Sequence, residues 1–229
     1  MRKRTYIYID GFNLYHRCLK DTSCKWLDLK LLFCTLLDQD NNIEKIKYFT
    51  TKVSGKMDPD QPTRQDTYLR ALRAYIPELE IYYGQFFNKK MKAFSTQDSS
   101  PQLVKVNVLR NGGKKTIVAE LLPHQLINVT KPEEKGSDVN LAIHLLNDAW
   151  LDLYDYAIVV SNDSDLREAV KFVTQIKKKV IGIGSPVEFP SKQLIQYADF
   201  VKHIRPGILA ACQLPNPIPG TTICKPALW

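Results

Sequence analysis

The 229-residue sequence predicts an α/β protein, a three-layer α/β/α sandwich built on a mainly parallel sheet, with an inserted β-hairpin. Three observations predict it. Strand candidates such as YAIVV (Tyr156 to Val160) and VIGIG (Val180 to Gly184) are unbroken apolar runs, the pattern of strands buried on both faces. Amphipathic helical segments alternate with them. Two β-rich runs flank Asn111-Gly112-Gly113, and Asn-Gly between such runs is the strongest short hairpin signal.

The elements follow in order. TYIYI (Thr5 to Ile9) is rich in β-formers and reads as the first strand. Leu27 to Leu37 repeats apolar residues at intervals of three and four, which predicts a helix, and Ile43 to Thr50 follows as a strand. Asp58 to Thr63, with Pro59 and Pro62, opens a helix through Tyr68, Leu69, Leu72 and Tyr75, and Pro77 closes it. Leu79 to Phe87 is a third strand.

From Asn88 to Lys131 the pattern becomes a polar loop, then VKVNVL (Val104 to Leu109), the turn, and TIVAEL (Thr116 to Leu121), which marks an insertion over about residues 88–131. Regular order resumes with the helix Ser137 to Trp150, where Val139, Ala142, Ile143, Leu146 and Trp150 share one face and Ser137 is placed to cap. The strand Tyr156 to Val160, a helix from Asp165 to Ile176, the strand Val180 to Gly184, a short helix after Ser191 and a strand near Phe200 to Ile204 complete one domain, residues 1–205. The tail, residues 206–229, holds Pro206, Pro215, Pro217, Pro219 and Pro226 and is expected to be extended, packed along the surface or mobile.

Composition narrows the classes. With 44% hydrophobic and 24% charged residues the chain reads as globular, and no apolar run nears the roughly 20 residues of a membrane span. The N-terminus has no signal-peptide core, so a cytoplasmic location is expected. Five cysteines without a CxxC pattern indicate neither a disulfide framework nor a zinc site. The net charge of +8 favours contact with polyanions such as nucleic acid. Its excess is clustered, in Arg2-Lys3-Arg4, Lys89-Lys90 with Lys92, Lys114-Lys115 and Lys177-Lys178-Lys179. The composition is also compatible with a homo-oligomer.

Four carboxylates stand where strands give way to helices. In an open parallel sheet ligands bind beyond the carboxyl ends of the strands. Asp10 ends the first strand, Asp163 and Asp165 follow Tyr156 to Val160, and Asp138 lies in the first turn of the preceding helix. Each alone reads as a helix cap, although Asp10 fits that role poorly because Gly11 follows and Asn13 offers an alternative cap. Together, carboxylates that close would raise one another's pKa unless a cation neutralised them, and all-oxygen ligation suits Mg²⁺ or Mn²⁺. Such an ion lowers the pKa of a bound water for attack on a phosphodiester.

IDGFNLY (Ile9 to Tyr15), EKGSDVNLA (Glu134 to Ala142) and VVSNDSDL (Val159 to Leu166) together resemble the NYN domains, PIN-like metal-dependent ribonucleases, especially their bacterial branch. The resemblance runs in order from Thr5 to Ile204 and implies a PIN-like, Rossmann-like fold. It further implies that Asp10, Asp138, Asp163 and Asp165 form an acidic metal site and that Asn13 positions a water or phosphate. Lys135 would lie at the pocket rim, and Arg2, Arg4, Lys177, Lys178 and Lys179 would meet RNA phosphates. The function so implied is a Mg²⁺- or Mn²⁺-dependent endoribonuclease acting on single-stranded or flexible RNA.

Two rivals stand beside it. One is a non-catalytic RNA-binding module with the same fold. The other is a phosphohydrolase of the haloacid dehalogenase type, which needs DxD after the first strand where this chain has Asp10-Gly11-Phe12. Weaker signals add little. Gly182-Ile183-Gly184 reads as a tight βα turn, and His16, His124, His144 and His203 show no metal-ligand spacing. Tyr6, Tyr8, Tyr82, Tyr83, Phe86 and Phe87 read as core before they read as base-stacking surfaces.

Overall fold

Strand β1 (Lys3–Asp10) alternates its side chains between two buried layers: Ile7 and Ile9 enter one, Tyr6 and Tyr8 the other. A strand covered on both faces must lie inside a sheet, and β1 does. In the computed structural model, which describes residues 2–55, 58–95, 102–110, 113–121 and 125–227, six strands form one sheet in the order β10-β9-β8-β1-β2-β3. They are β2 (Asn41–Thr50), β3 (Leu79–Tyr83), β8 (Tyr156–Val160), β9 (Val180–Ser185) and β10 (Phe200–His203) with β1, and every pairing is parallel.

Helices cover both faces, as parallel crossovers require. One layer holds α1 (Gly11–Leu14), its continuation as a π-helical turn (Tyr15–Leu19), α2 (Leu29–Leu36) and α3 (Gln61–Tyr75), packed over Ile7, Ile9, Ile46 and Ile158. The other holds α4 (Ser137–Trp150), α5 (Arg167–Gln175) and α6 (Lys192–Ile195), packed over Tyr8, Phe49, Val159 and Ile183. The three-layer sandwich is the fold the sequence predicts.

The chain divides into two units, Met1–Phe86 with Glu134–Trp229, and Phe87–Glu133. In the insertion, β5 (Gln102–Arg110) and β6 (Gly113–Leu121) pair antiparallel from Gln102↔Leu121 to Arg110↔Gly113, the expected hairpin. Asn111 and Gly112 of its turn lie outside the described residues. The segment after Asn88, expected as polar loop, is instead part of β4 (Gln85–Ser95), which pairs with β7 (Gln125–Lys135). Lys89, Lys90 and Lys92 hid that strand, because lysine is a poor strand former in isolation.

Three other expectations change or narrow. The expected stripe on α4 packs only in part: Ala142 and Leu146 lie against the core, Val139, Ile143 and Trp150 are 61%, 56% and 65% exposed, and Leu141, Leu145, Asp148 and Ala149 are the buried positions. Asp148 sits on the core face because Lys47 and Tyr8 reach it there, each with a 2.6 Å contact to Oδ2. The cap of α4 is Gly136 rather than Ser137. The tail, expected to be extended, packed along the surface or mobile, is packed and begins with a helix: α7 (Pro206–Ala211) opens it, Gln213 bridges to Leu27, and Leu209, Cys212, Leu214 and Ile218 are buried beside α2 and Trp26.

Gly182 has a packing role, since a Cβ there would lie 2.4 Å from the Phe200 ring. Among the described residues no helix is long and apolar enough to cross a membrane.

Lys47 and Asp148 are both buried, and Lys47 Nζ also lies 5.9, 6.0 and 5.8 Å from the ring centres of Tyr6, Tyr8 and Tyr82. Removing one partner leaves an uncompensated buried charge. Lys47→Met is therefore expected to destabilise the fold by about 3–5 kcal/mol in urea denaturation. The double variant Lys47→Met with Asp148→Asn should recover most of that loss, because the Asn carbonyl still accepts from Tyr8.

Candidate active site

Strand order reverses at β1. From β1 the chain builds outward through β2 and β3 on one side and later through β8, β9 and β10 on the other, so the crevice between β1 and β8 is the switch point where such sheets take ligands. Asp10 ends β1 there, and Ser161-Asn162-Asp163 leave β8 beside it.

Hydrogen bonds shape the crevice. Asp10, 4% exposed, is the N-cap of α1: its Oδ1 accepts from the Asn13 backbone N–H at 2.9 Å. Asp10 rather than Asn13 is thus the cap, and Gly11 makes this geometry feasible. A Cβ on Gly11 would lie 2.6 Å from Tyr48 Cζ and 2.8 Å from the Phe49 carbonyl oxygen. Asp10 Oδ2 accepts from Ser161 Oγ at 2.9 Å, and Ser161 Oγ accepts from the Asp163 N–H at 3.0 Å.

Asp163 in turn caps the short 3₁₀ turn Ser164–Leu166 by accepting from the Asp165 N–H at 3.0 Å. Asn13 Oδ1 accepts from the Asn162 N–H at 3.1 Å, and Asn162 Oδ1 accepts from the Ser191 N–H at 2.7 Å. The apolar run Val159-Val160 stops at polar residues because their side chains satisfy the backbone donors of the loop.

An open pocket of about 320 Å³ results, and Asp10, Asn13, Asp138 and Asp163 all line it. Phe12, His16 and Arg17 line it too. The sequence reading missed these three. Their signal was spacing, since Arg17 follows Asn13 by four residues and His16 follows Phe12 by four, and the Phe12 and His16 rings stack at 5.9 Å. Burial, then Lys20 and Arg17, hold the His16 pKa below its ordinary value, so the imidazole is neutral at neutral pH.

The other predicted residues lie elsewhere. Asp165 is exposed and lines a groove between α4 and α5 with Trp150 and Phe172. Lys135 is exposed at the end of β7, three residues before Asp138. Arg2, Arg4 and Lys177–Lys179 lie near the amino ends of β1 and β9, the opposite edge of a sheet whose strands are all parallel. At about 3.3 Å per residue, the length of β1 puts that edge roughly 20 Å from Asp10.

Arg4 Nη2 bonds Asp155 at 2.7 Å, Lys179 pairs with Asp152, and Lys177 Nζ sits 4.5 Å from the Trp150 ring centre. His144 lies by Lys47, and His203 lies near Val187, both away from the pocket, while His124 lies outside the described residues.

Among the described residues no three His, Cys, Asp or Glu side chains are grouped closely enough to hold a metal ion between them. The donor set still suits a hydrated Mg²⁺, which keeps several waters and takes one or two carboxylates plus substrate phosphate. Three carboxylates on one pocket, with Arg17 beside them, supply that environment.

Fold and pocket define an open parallel α/β sandwich of the PIN-like class with an acidic crevice at its switch point. The chain belongs to the NYN domain family, which matches residues 4–205. A Vibrio parahaemolyticus RIMD 2210633 protein of unknown function, VPA0982, shares the fold with a TM-score of 0.53 at 18% identity, over 90% of this chain and 94% of that one. The chain is also similar to 6-hydroxy-3-succinoylpyridine 3-monooxygenase HspA of Pseudomonas putida (strain DSM 28022 / S16), 33% identical over 99% of this chain and 75% of the relative.

Asn13→Ala would leave the Asn162 N–H without its acceptor at the base of the pocket. The expected cost is about 1–3 kcal/mol in urea denaturation, with faster hydrogen exchange at the Asn162 amide.

Proposed function

We propose that the chain is a metal-dependent ribonuclease that hydrolyses phosphodiester bonds in single-stranded or flexible RNA in the cytoplasm. The observation that carries this reading is the convergence of Asp10, Asp138 and Asp163 with Asn13 and Arg17 on one pocket at the switch point of an NYN fold. Its five free cysteines suit a reducing compartment.

In this reading Asp163 would hold a Mg²⁺ or Mn²⁺ ion directly, with Asp10 and Asp138 reaching it through its waters, and the ion when bound would polarise the phosphodiester and lower the pKa of its water. The chain's own groups do the positioning. Asp10 is fixed through both oxygens, so its carboxylate keeps one orientation. Asn13 has its Oδ1 engaged by Asn162, which leaves its NH₂ as the group it offers a phosphate oxygen. Arg17 offsets the phosphate charge from the pocket wall.

Asp165 acts on the pocket through its N–H, which orients Asp163. Lys135 meets RNA near Asp138. Arg4 and Lys179 are already paired with acids, so they contribute less to RNA affinity than Arg17, Lys135, Arg2, Lys177 and Lys178.

Chelation should stop cleavage of an unstructured RNA, and added Mg²⁺ or Mn²⁺ should restore it. Asp163→Asn is expected to abolish cleavage without lowering the thermal unfolding midpoint, because the amide carbonyl can still accept from Asp165 N–H. Cleavage that persists in excess chelator would overturn the metal mechanism. Tight RNA binding without any cleavage would assign the chain to a binding module instead.

Replacing Arg17 should flatten the salt dependence of RNA binding, by about 0.7 in the slope of log K against log salt for one single-strand phosphate contact. Replacing Arg4 should change it little.

A second reading has its own support. The Pseudomonas relative is named for oxygenating 6-hydroxy-3-succinoylpyridine, and the similarity spans 99% of this chain. Dioxygen uptake that depends on both that compound and an added two-electron reductant would favour it. No uptake, beside metal-dependent RNA cleavage, would leave the ribonuclease.

A further inference from the structure

Phe12 lines a second cavity as well as the acidic pocket. This second space, about 270 Å³, lies between α1 with its π-helical turn, β2 and α3. Its walls are aromatic: Tyr15, Tyr48 and Tyr68 join Phe12 there. Tyr68 spends its hydroxyl on the Leu27 carbonyl at 2.8 Å, so it offers its ring.

Tyr48 differs. Its ring end lies against Gly11, the residue after Asp10, and its hydroxyl bonds no other described residue. Burial, then the Asp10 charge, push its pKa up, so it stays a protonated donor. A polar edge faces the rings: Arg64 also lines the cavity, and its guanidinium is bonded to Asp58. That pairing gives the edge both donors and acceptors, as Gln61 and Gln65 also do, while Lys20 and Lys25 line the cavity with Asp21.

We propose that this cavity is a base subsite that takes the nucleobase of the nucleotide next to the phosphate in the acidic pocket. The assignment rests on the ribonuclease reading. Aromatic walls stack on any base, because every base has a π-face. The Tyr48 hydroxyl and the Arg64–Asp58 edge meet the hydrogen-bonding rim of the base and discriminate among bases, as a site built to bond a polar edge rejects one that lacks the match. Phe12, shared by both spaces, separates base from phosphate. The cavity lies between three elements of the fold, so a base must leave its stack to enter it, and recognition is of an unstacked nucleotide.

The test is equilibrium binding of AMP, GMP, CMP and UMP to the full chain, compared with ribose 5-phosphate, which carries the phosphate but no base. At least one nucleotide is expected to bind about tenfold more tightly than ribose 5-phosphate, the gain from stacking one base. Tyr48→Phe should reduce the spread of affinities among the four nucleotides, and Val53→Trp, which places bulk on the cavity wall, should bring all four down to ribose 5-phosphate. If Val53→Trp does not fold, the Tyr48→Phe comparison carries the test alone.

Equal binding of nucleotides and ribose 5-phosphate, or a spread unaffected by Tyr48→Phe, overturns the assignment. So does pyridine-3-carboxylate outcompeting every nucleotide, which would mark a site for a small aromatic acid. Metal-dependent RNA cleavage with no base-dependent binding would sink this subsite and leave the ribonuclease. Base-dependent binding whose spread among the four nucleotides shrinks in Tyr48→Phe, without RNA cleavage, would keep the subsite and remove the ribonuclease.

Discussion

A carboxylate cannot be buried without partners, and the Asp10 side chain is buried at the one place in the sheet where the chain reverses its order of assembly. Its two oxygens are held by different elements, the first turn of α1 and the loop leaving β8, so a single side chain ties the two halves of the sheet together at their carboxyl edge. Much else follows from this constraint. Gly11 must lack a side chain for α1 to start so close to Tyr48, and Ser161 must offer a hydroxyl that donates to Asp10 while accepting from Asp163. The first and third of the three motifs are therefore one hydrogen-bonded unit, far apart in sequence and together in space, and the second brings Asp138 to the same pocket.

The sheet was legible because its strands are short apolar runs whose meaning does not depend on context. The face of α4 was not. Its apolar residues fall on two stripes, Leu141, Leu145 and Ala149 on one and Val139, Ile143 and Trp150 on the other, and periodicity alone cannot rank them. Asp148 masks the buried stripe, since a carboxylate next to Ala149 marks that side as solvent-facing until Lys47, about a hundred positions earlier, is known to meet it. A local pattern cannot report a partner that tertiary folding supplies. The proline-rich tail was left open between extended, packed and mobile for the same reason: proline limits secondary structure but says nothing about Leu209, Leu214 and Ile218 finding a core.

Charge was legible in total and illegible in place. The basic clusters at Arg2 to Arg4 and Lys177 to Lys179 stand out by density, yet both lie at the amino edge of the sheet, where Asp152 and Asp155 engage Arg4 and Lys179. Arg17 is a single cation in an unremarked stretch and lines the acidic pocket. Density along the chain measures a local average, whereas a site depends on which strand end a residue leaves, and only topology gives that.

The two readings of the acidic residues, caps or ligands, do not exclude one another. A carboxylate has about four acceptor sites, so a cap that fixes its orientation leaves capacity for a cation or a substrate donor. Asp10 and Asp163 are both caps, and capping is what aims them. They differ in burial: Asp10 is nearly inaccessible and braced on both oxygens, whereas Asp163 is half-exposed and accepts through one oxygen from the Asp165 N–H. Asp10 is accordingly the fixed member of the pair and Asp163 the one with freedom to adjust to what the pocket holds. A ligand site at a switch point needs both, because a set of groups with no fixed member has no defined geometry and one with no adjustable member cannot adapt to what enters the pocket.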